Sequence, residues 1–153
     1  MIKFRYNLEN ILNIKYKMEE QAKTAYGSAN QKLLLEQDKL SELNNKRAFY
    51  QEQLKKLMSS NLNILKIKKT KDGIEIMKLY IKQQEAVVKK AEQQLEIARS
   101  RLNAAMLERK THEKLKENAY LNFMKEYEAE QRKEIDELVS FKYNSPADNP
   151  EEI

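Results

Sequence analysis

Apolar side chains recur along most of this chain at alternating spacings of three and four residues. One series runs from Phe4 to Leu57, and a second runs from Ile74 to Phe123. A repeat of about 3.5 residues places its members in one stripe along an α-helix, and such a stripe is stable only when it packs against another. Up to residue 32 the first series comprises Phe4, Leu8, Ile11, Lys15, Met18, Ala22, Ala25, Ala29 and Lys32.

The two series are mirror images about a point near residue 65. Leu57 is matched with Ile74 and Arg47 with Gln84, each pair being equally far from that point. One chain that folds back on itself requires this symmetry. The pattern predicts an all-α protein, a long antiparallel two-helix coiled coil formed by one hairpin over residues 1–143.

Boundary signals divide the hairpin into two helices and a connection. Helix one is predicted over about residues 4–57 and helix two over about 74–143. Residues 58–73 are predicted to connect them, because a Ser-Ser-Asn run opposes helix continuation and Asp72-Gly73 is a turn signal. Leu62, Ile64 and Leu65 are candidates to cover the open end of the seam. Residues 144–153 hold both prolines of the chain and are predicted to be a disordered tail.

The mirror leaves part of the second helix without a partner. About residues 131–143 extend past the start of helix one, yet they still carry an apolar stripe of Ile135, Leu138 and Val139. An unpaired amphipathic helix needs a partner surface.

The seam is uneven along its length. Near the connection it is aliphatic, and most of the stability is expected there. Around Lys15 to Ala22 it is small and polar, and two alternatives stay open for this end. Either the register shifts to bring in more leucines, or another protein holds the loose end. The leucines in question are Leu107, Leu115 and Leu121.

A second apolar group lies off the seam near the connection. Ile76, Tyr80 and Val87 fall on one face of helix two, and Phe49 lies on the facing stretch of helix one. They are either scattered surface residues, which are normal singly, or a partner surface. The nearby lysines are either a solvated loop or a contact for an acidic or membrane-surface partner. They are Lys66, Lys68, Lys69 and Lys71.

Composition narrows the function classes. No cysteine is present, so thiolate metal sites are excluded, and no apolar run is long enough to span a membrane. The net charge of +5 arises from interspersed charges, which argues against nucleic acid as a partner. The sequence has no phosphate-binding glycine loop and no nucleophile elbow. We therefore expect a non-enzymatic intracellular protein without a cofactor, catalytic residue, metal site or small-molecule substrate, and a monomer in isolation.

Two stretches resemble the bacterial flagellar export protein FliJ family. The first is the opening F-x-x-x-L-E-x-I-L pattern from Phe4 to Leu12. The second is the basic run from Arg109 to Glu117, followed by E-I-D-E at residues 134–137.

The resemblance implies a stalk-like component of the flagellar type III export apparatus, in the cytoplasm and peripherally associated with the inner membrane. Its partners would be the hexameric export ATPase, whose assembly and activity it would promote, the membrane export gate and export chaperones. The ATPase end would involve Phe4, Leu8, Phe123, Ile135 and Leu138. The gate end would involve Phe49, Ile76, Tyr80 and Val87. The alternative is a structural coiled coil or holdase-type chaperone without an ATPase partner.

Overall fold

The protein is an antiparallel helical hairpin, as the sequence predicts. The computed structural model describes residues 2–60 and 63–144, and these form two helices, α1 (Glu9–Ser59) and α2 (Ile64–Asn144). Residue 1, residues 61–62, which include Leu62, and residues 145–153 lie outside the described residues. Of the predicted tail, residues 144–153, only Asn144 is described, and it is the last residue of α2 instead of part of a tail.

The connection between the helices is much shorter than predicted. The assignment of residues 58–73 to it is wrong, because α2 begins at Ile64. Asn63 caps this helix: its side-chain oxygen accepts a hydrogen bond from the Lys66 amide at 3.4 Å, and its carbonyl accepts one from the Ile67 amide at 3.0 Å. An Asn cap of this kind satisfies amides that a helix start leaves open. Asp72-Gly73, predicted to be a turn, is therefore internal to α2.

The first helix begins later than predicted. Residues 2–8 are not helical, and α1 starts at Glu9, whose amide donates to the Tyr6 carbonyl at 3.3 Å. At its other end, the hydroxyls of Ser59 and Ser60 both donate to the Lys56 carbonyl. These bonds occupy a carbonyl that the end of a helix leaves open.

By its internal packing the chain divides into two compact units. The terminal unit comprises Met1–Tyr16 and Leu107–Ile153, and the turn unit comprises Lys17–Met106. Each unit contains a stretch of both helices.

The turn unit buries the stripe of α2 that the spacing predicts. Its buried apolar residues follow the alternating rhythm: Ile74, Ile81, Val88, Ala91, Leu95 and Ala98. The densest packing joins Leu33 of α1 to Val88, Ala91 and Leu95, with Leu40 at its edge. This core lies farther from the connection than expected, since α1 beyond Leu40 is at most half-buried.

The amino-terminal half of the α1 stripe differs from the prediction by one position at five places. Leu8, Ile11, Met18, Ala25 and Lys32 are exposed, and the residue that follows each one faces the seam instead. The residues that face the seam are Glu9, Leu12, Glu19, Tyr26 and Leu33. The predicted series takes two consecutive steps of four at residues 32, 36 and 40. Strict alternation from Leu40 gives Glu36, Leu33 and Ala29, which keeps one stripe facing α2.

The register between the helices also differs from the mirror. The cross-seam pairs Lys15 with Glu108, Glu9 with Lys116 and, in the core of the turn unit, Leu33 with Ala91 are centred near residue 62, so each partner in α1 lies about seven residues earlier than the mirror about residue 65 places it. The Gln84 side chain contacts Glu36 instead of the predicted partner Arg47. The shift follows from the shorter connection, because an earlier start of α2 moves the point of reversal toward the amino terminus. Within the described part of the chain, no helix is long and apolar enough to cross a membrane.

Candidate interaction surfaces

In the terminal unit, an aromatic cluster holds the non-helical amino terminus on α2. The Phe4 ring lies 5.3 Å from the Tyr120 ring in an edge-to-face arrangement and 5.4 Å from the Phe123 ring. Phe123 stacks in turn on Tyr127 at 6.3 Å. The structure thus brings together Phe4 and Phe123, but it uses them for internal packing. Both are half-buried and can support a surface rather than form one.

Leu8, another residue assigned to the ATPase end, is 42% exposed. Its neighbour Glu9 takes the seam position and pairs with Lys116 at 2.8 Å, while Leu12 is buried one turn later. Leu8 therefore points away from the seam and remains available for an external contact.

The polar part of the terminal unit is paired within the chain. The Lys15 ammonium lies 2.9 Å from the Glu108 carboxylate, and its hydrogen bond and charge hold the pKa of Glu108 below the ordinary value. Glu113 accepts hydrogen bonds from the Tyr16 hydroxyl and, at 2.9 Å, from the Arg109 guanidinium. These ion pairs and hydrogen bonds are made within the chain, whereas the buried Tyr6 hydroxyl and His112 Nδ1 have no hydrogen-bond partner among the described residues.

The alternative of a register shift that recruits three more leucines is not adopted. Leu107, Leu115 and Leu121 are 67%, 47% and 50% exposed. The polar pairs occupy the seam in their place, and the leucines remain on the outer faces of α2.

The last part of α2 has no packing partner among the described residues. Every residue from 128 to 144 is exposed, which confirms the predicted unpaired segment and extends it by three residues at its start. We call residues 128–144 the exposed extension. Ile135 is 58% exposed, Leu138 67% and Val139 48%.

Sequence reasoning missed one member of this stripe. Phe141 is 75% exposed and lines a shallow groove with Leu138, Glu134 and Glu137. The signal was present, since Phe141 follows Leu138 by three residues and such residues are neighbours on a helix. The extension therefore offers an apolar stripe bordered by carboxylates.

In the turn unit, the four residues assigned to the gate end are all exposed: Ile76 48%, Tyr80 47%, Val87 41% and Phe49 58%. Each one directly precedes a residue of the seam in its own helix. Equivalent flanking positions of two antiparallel helices face each other across the seam. The four therefore lie on the same side of the hairpin, and we call them the lateral face.

Two observations concern side chains that could bind a metal ion or transfer a proton. No group of three or more His, Asp or Glu side chains that could hold a metal ion occurs within residues 2–60 and 63–144. His112, the single histidine, is a half-buried seam residue whose Nε2 lies 3.9 Å from a Glu108 carboxylate oxygen.

These features define an antiparallel coiled-coil protein with a polar seam in its terminal unit and exposed apolar side chains on the extension and the lateral face. Comparison with known proteins shows its family. The family model described as flagellar FliJ protein matches residues 4–147, so the chain belongs to the FliJ family. It is thus a component associated with type III export, in a family of non-catalytic export components.

The chain was also compared with solved structures and with curated proteins. Among solved structures, a YscO homolog from Chlamydia trachomatis is similar, with 24% identity over 92% of this chain and 96% of the other, and a TM-score of 0.45. No curated protein matches the sequence.

Proposed function

We propose that this protein couples the flagellar export ATPase to the membrane export gate. The exposed extension and Leu8, supported by Phe4 and Phe123, would bind the hexameric ATPase and promote its assembly and activity. The lateral face would bind the cytoplasmic part of the gate. Export chaperones are further partners by family membership, and the site of action would be the cytoplasmic side of the inner membrane.

The observation that carries this proposal is the exposed extension. It continues α2 for about five turns in which every described residue is exposed, including the stripe of Ile135, Leu138 and Phe141. Because an apolar stripe is unfavourable in water, its binding to a hydrophobic groove on a partner protein is favoured. The ion pairs of Lys15 with Glu108 and of Glu9 with Lys116 let the terminal unit keep its helical pairing while the extension is engaged.

The proposed mechanism is allosteric. A helix pair held in the pore of a ring makes unequal contacts with the subunits around it. Differential affinity for subunit conformations then shifts their populations, which favours ring assembly and staggers nucleotide states. No catalytic group of this chain is needed for that effect.

The first test measures hydrolysis and hexamer formation by the cognate export ATPase, with and without the purified protein. We expect both to rise. The double variant Ile135→Glu and Leu138→Glu should abolish the increase, because it places charge in the apolar stripe. Both side chains are already exposed, so the hairpin should keep its helical circular dichroism.

A matched control keeps the charge change and moves it off the stripe. Lys133→Gln with Ser140→Glu also lowers the net charge by two, but these residues lie on the opposite side of the extension. This control should stimulate the ATPase like the unmodified chain. Equal loss in both double variants would mean that charge, rather than the stripe, controls the effect.

The second test addresses the lateral face. Tyr80→Ala with Val87→Ala should weaken binding to the cytoplasmic part of the gate protein in a pull-down or titration. Stimulation of the ATPase should be unchanged. If neither partner binds and the chain instead prevents aggregation of unfolded clients, the holdase alternative replaces the proposal.

A further inference from the structure

A lysine-rich segment at the helical turn is not used by the proposed contacts. Residues 55–71 contain six lysines and no Asp or Glu. The whole chain carries +5 and this segment +6, so the rest of the chain is one unit negative. The positive charge of the protein is therefore concentrated at the turn. The lysines are Lys55, Lys56, Lys66, Lys68, Lys69 and Lys71.

The structure brings three of these lysines, from both helices, to one groove. Lys56 and Leu57 of α1 line the same groove as Lys66, Lys69 and Thr70 of α2. All six lysines are exposed, and none of their ammonium groups pairs with another side chain in the part of the chain that is described. They are available to an external anion.

Helix stability does not explain the lysines of α2. The amino-terminal end of a helix carries partial positive charge, which favours acidic residues and disfavours lysines in its first turns. The first turn of α2 has no acidic residue, and the first acidic residue of the helix is Asp72. Lys66, Lys68 and Lys69 therefore add to the positive potential of the helix end instead of offsetting it.

Three apolar side chains near these lysines are largely exposed to solvent. Ile64 is 79% exposed, Leu65 64% and Met58 57%. Attraction to negative charge accounts for the lysines, whereas the exposed aliphatic side chains are stabilised only where an apolar medium or surface lies beside that charge. Lysines around exposed aliphatic side chains are the composition of an element that lies on a membrane surface.

We propose that the turn of the hairpin binds an anionic lipid surface. The lysines would lie among the lipid headgroups, and Ile64, Leu65 and Met58 would enter the boundary of the acyl chains. This contact is separate from the proposed ATPase and gate contacts, and it can be tested with neither partner present.

The binding test uses the full chain and vesicles in sedimentation. Vesicles of phosphatidylcholine and phosphatidylglycerol in equal amounts should bind the protein, and vesicles of phosphatidylcholine alone should not. Each lysine near an anionic surface contributes roughly fivefold in affinity. The triple variant Lys66→Gln, Lys68→Gln, Lys69→Gln should therefore bind the anionic vesicles at least about tenfold more weakly than the unmodified chain.

The matched control removes the same charge from α2 away from the turn. Lys82, Lys89 and Lys90 are exposed and unpaired with any described side chain. Changing these three to Gln should leave vesicle binding within about twofold of the unmodified chain, since screening confines the attraction to charges near the surface. Equal weakening in both triple variants would overturn the proposal, because net charge alone would then control binding.

A fluorescence test separates lipid from an acidic protein. The chain has no tryptophan, so Leu65→Trp provides a single reporter at the turn, and Leu79→Trp provides one at a similarly exposed site outside the lysine-rich segment. With anionic vesicles, emission should shift to the blue for Leu65→Trp and remain unchanged for Leu79→Trp. Binding without that shift, or binding of polyglutamate but not of vesicles, would overturn the proposal in favour of an acidic protein partner.

Discussion

Gln84 reaches across the seam and donates two hydrogen bonds to Glu36, one to its backbone carbonyl at 2.9 Å and one to its carboxylate at 2.6 Å. The pair holds α1 against α2 in the turn unit, where mirror symmetry about residue 65 would have placed Arg47 opposite Gln84. The cross-seam contacts are centred near residue 62 instead, a displacement of about seven residues along α1. Seven residues are one heptad, so the same faces meet in both registers and only the partners differ.

The register can be tested by crosslinking, because the natural chain has no cysteine. Glu36→Cys combined with Gln84→Cys should crosslink efficiently with a short bifunctional thiol reagent, since the two side chains are in contact. Arg47→Cys combined with Gln84→Cys is the matched control and should not crosslink. Mass spectrometry of tryptic peptides measures both. The reverse result would restore the mirror register.

The core of the turn unit predicts that truncating two adjacent leucines will have different effects on the free energy of unfolding. Leu33 is 8% exposed and packs on Val88 and Leu95, whereas Leu34 is 54% exposed. Leu33→Ala should lower the free energy of unfolding by about 2–3 kcal/mol, and Leu34→Ala by less than about 0.5 kcal/mol. Urea denaturation followed by circular dichroism measures both. Similar losses would contradict the placement of Leu33 in the seam.

The Glu36 carboxylate predicts a pH dependence of stability. Its pKa is lowered from 4.5, chiefly by the hydrogen bond from Gln84; burial is the next largest cause and opposes this shift, and Lys39 and Lys32 lower the pKa by smaller amounts. A lowered folded-state pKa contributes stability that is present above the unfolded value of about 4.5 and is lost as the pH falls through the folded-state pKa. Acidification below that value should therefore weaken the turn unit.

Carbon-13 NMR titration of the Glu side chains measures this effect directly. In Gln84→Ala, the pKa of Glu36 should rise toward its ordinary value. The pKa of Glu108 is lowered chiefly by Lys15 and should stay where it is, which makes it an internal control. A pKa of Glu36 that does not respond to loss of Gln84 would contradict the hydrogen bond as its main cause.

The aromatic cluster predicts that Phe4 holds the amino-terminal segment in place. Phe4→Ala removes ring contacts with both Tyr120 and Phe123 and should destabilise the docking of residues 2–8 by about 1 kcal/mol. Hydrogen exchange at the first turn of α1 should become faster. Ile2→Ala is the control, since Ile2 is 64% exposed and its truncation should leave exchange unchanged.

The sequence determined the fold class and most of the α2 seam. A 3.5-residue spacing of apolar residues specifies which face of a helix is buried, and no tertiary information is needed for that. The seam from Ile74 to Ala98 therefore follows directly from the spacing. The unpaired extension with Ile135 and Leu138 was also predictable from the sequence, because the longer second helix must extend past the start of the first helix.

The sequence could not select among registers separated by whole turns. Registers one heptad apart bury the same faces, and the choice depends on where the chain reverses. That point was misjudged because Asp72-Gly73 has turn chemistry and Asn63 was not recognised as a helix cap. In α1, Leu33 could have been found by keeping strict alternation past Leu40, whereas Lys32 broke it.

The exposed surfaces were predictable from the sequence, whereas the contacts between the helices were not. The sequence alone identified the lateral face and the stripe of the extension, because exposed apolar residues at helical spacing are visible in one dimension. Only the tertiary structure decided that Phe4 and Phe123 pack on each other, and that Lys15 and Glu108 pair across the polar seam. The physical reason is that those contacts join residues more than 90 positions apart, and their partners depend on a register that local spacing leaves open.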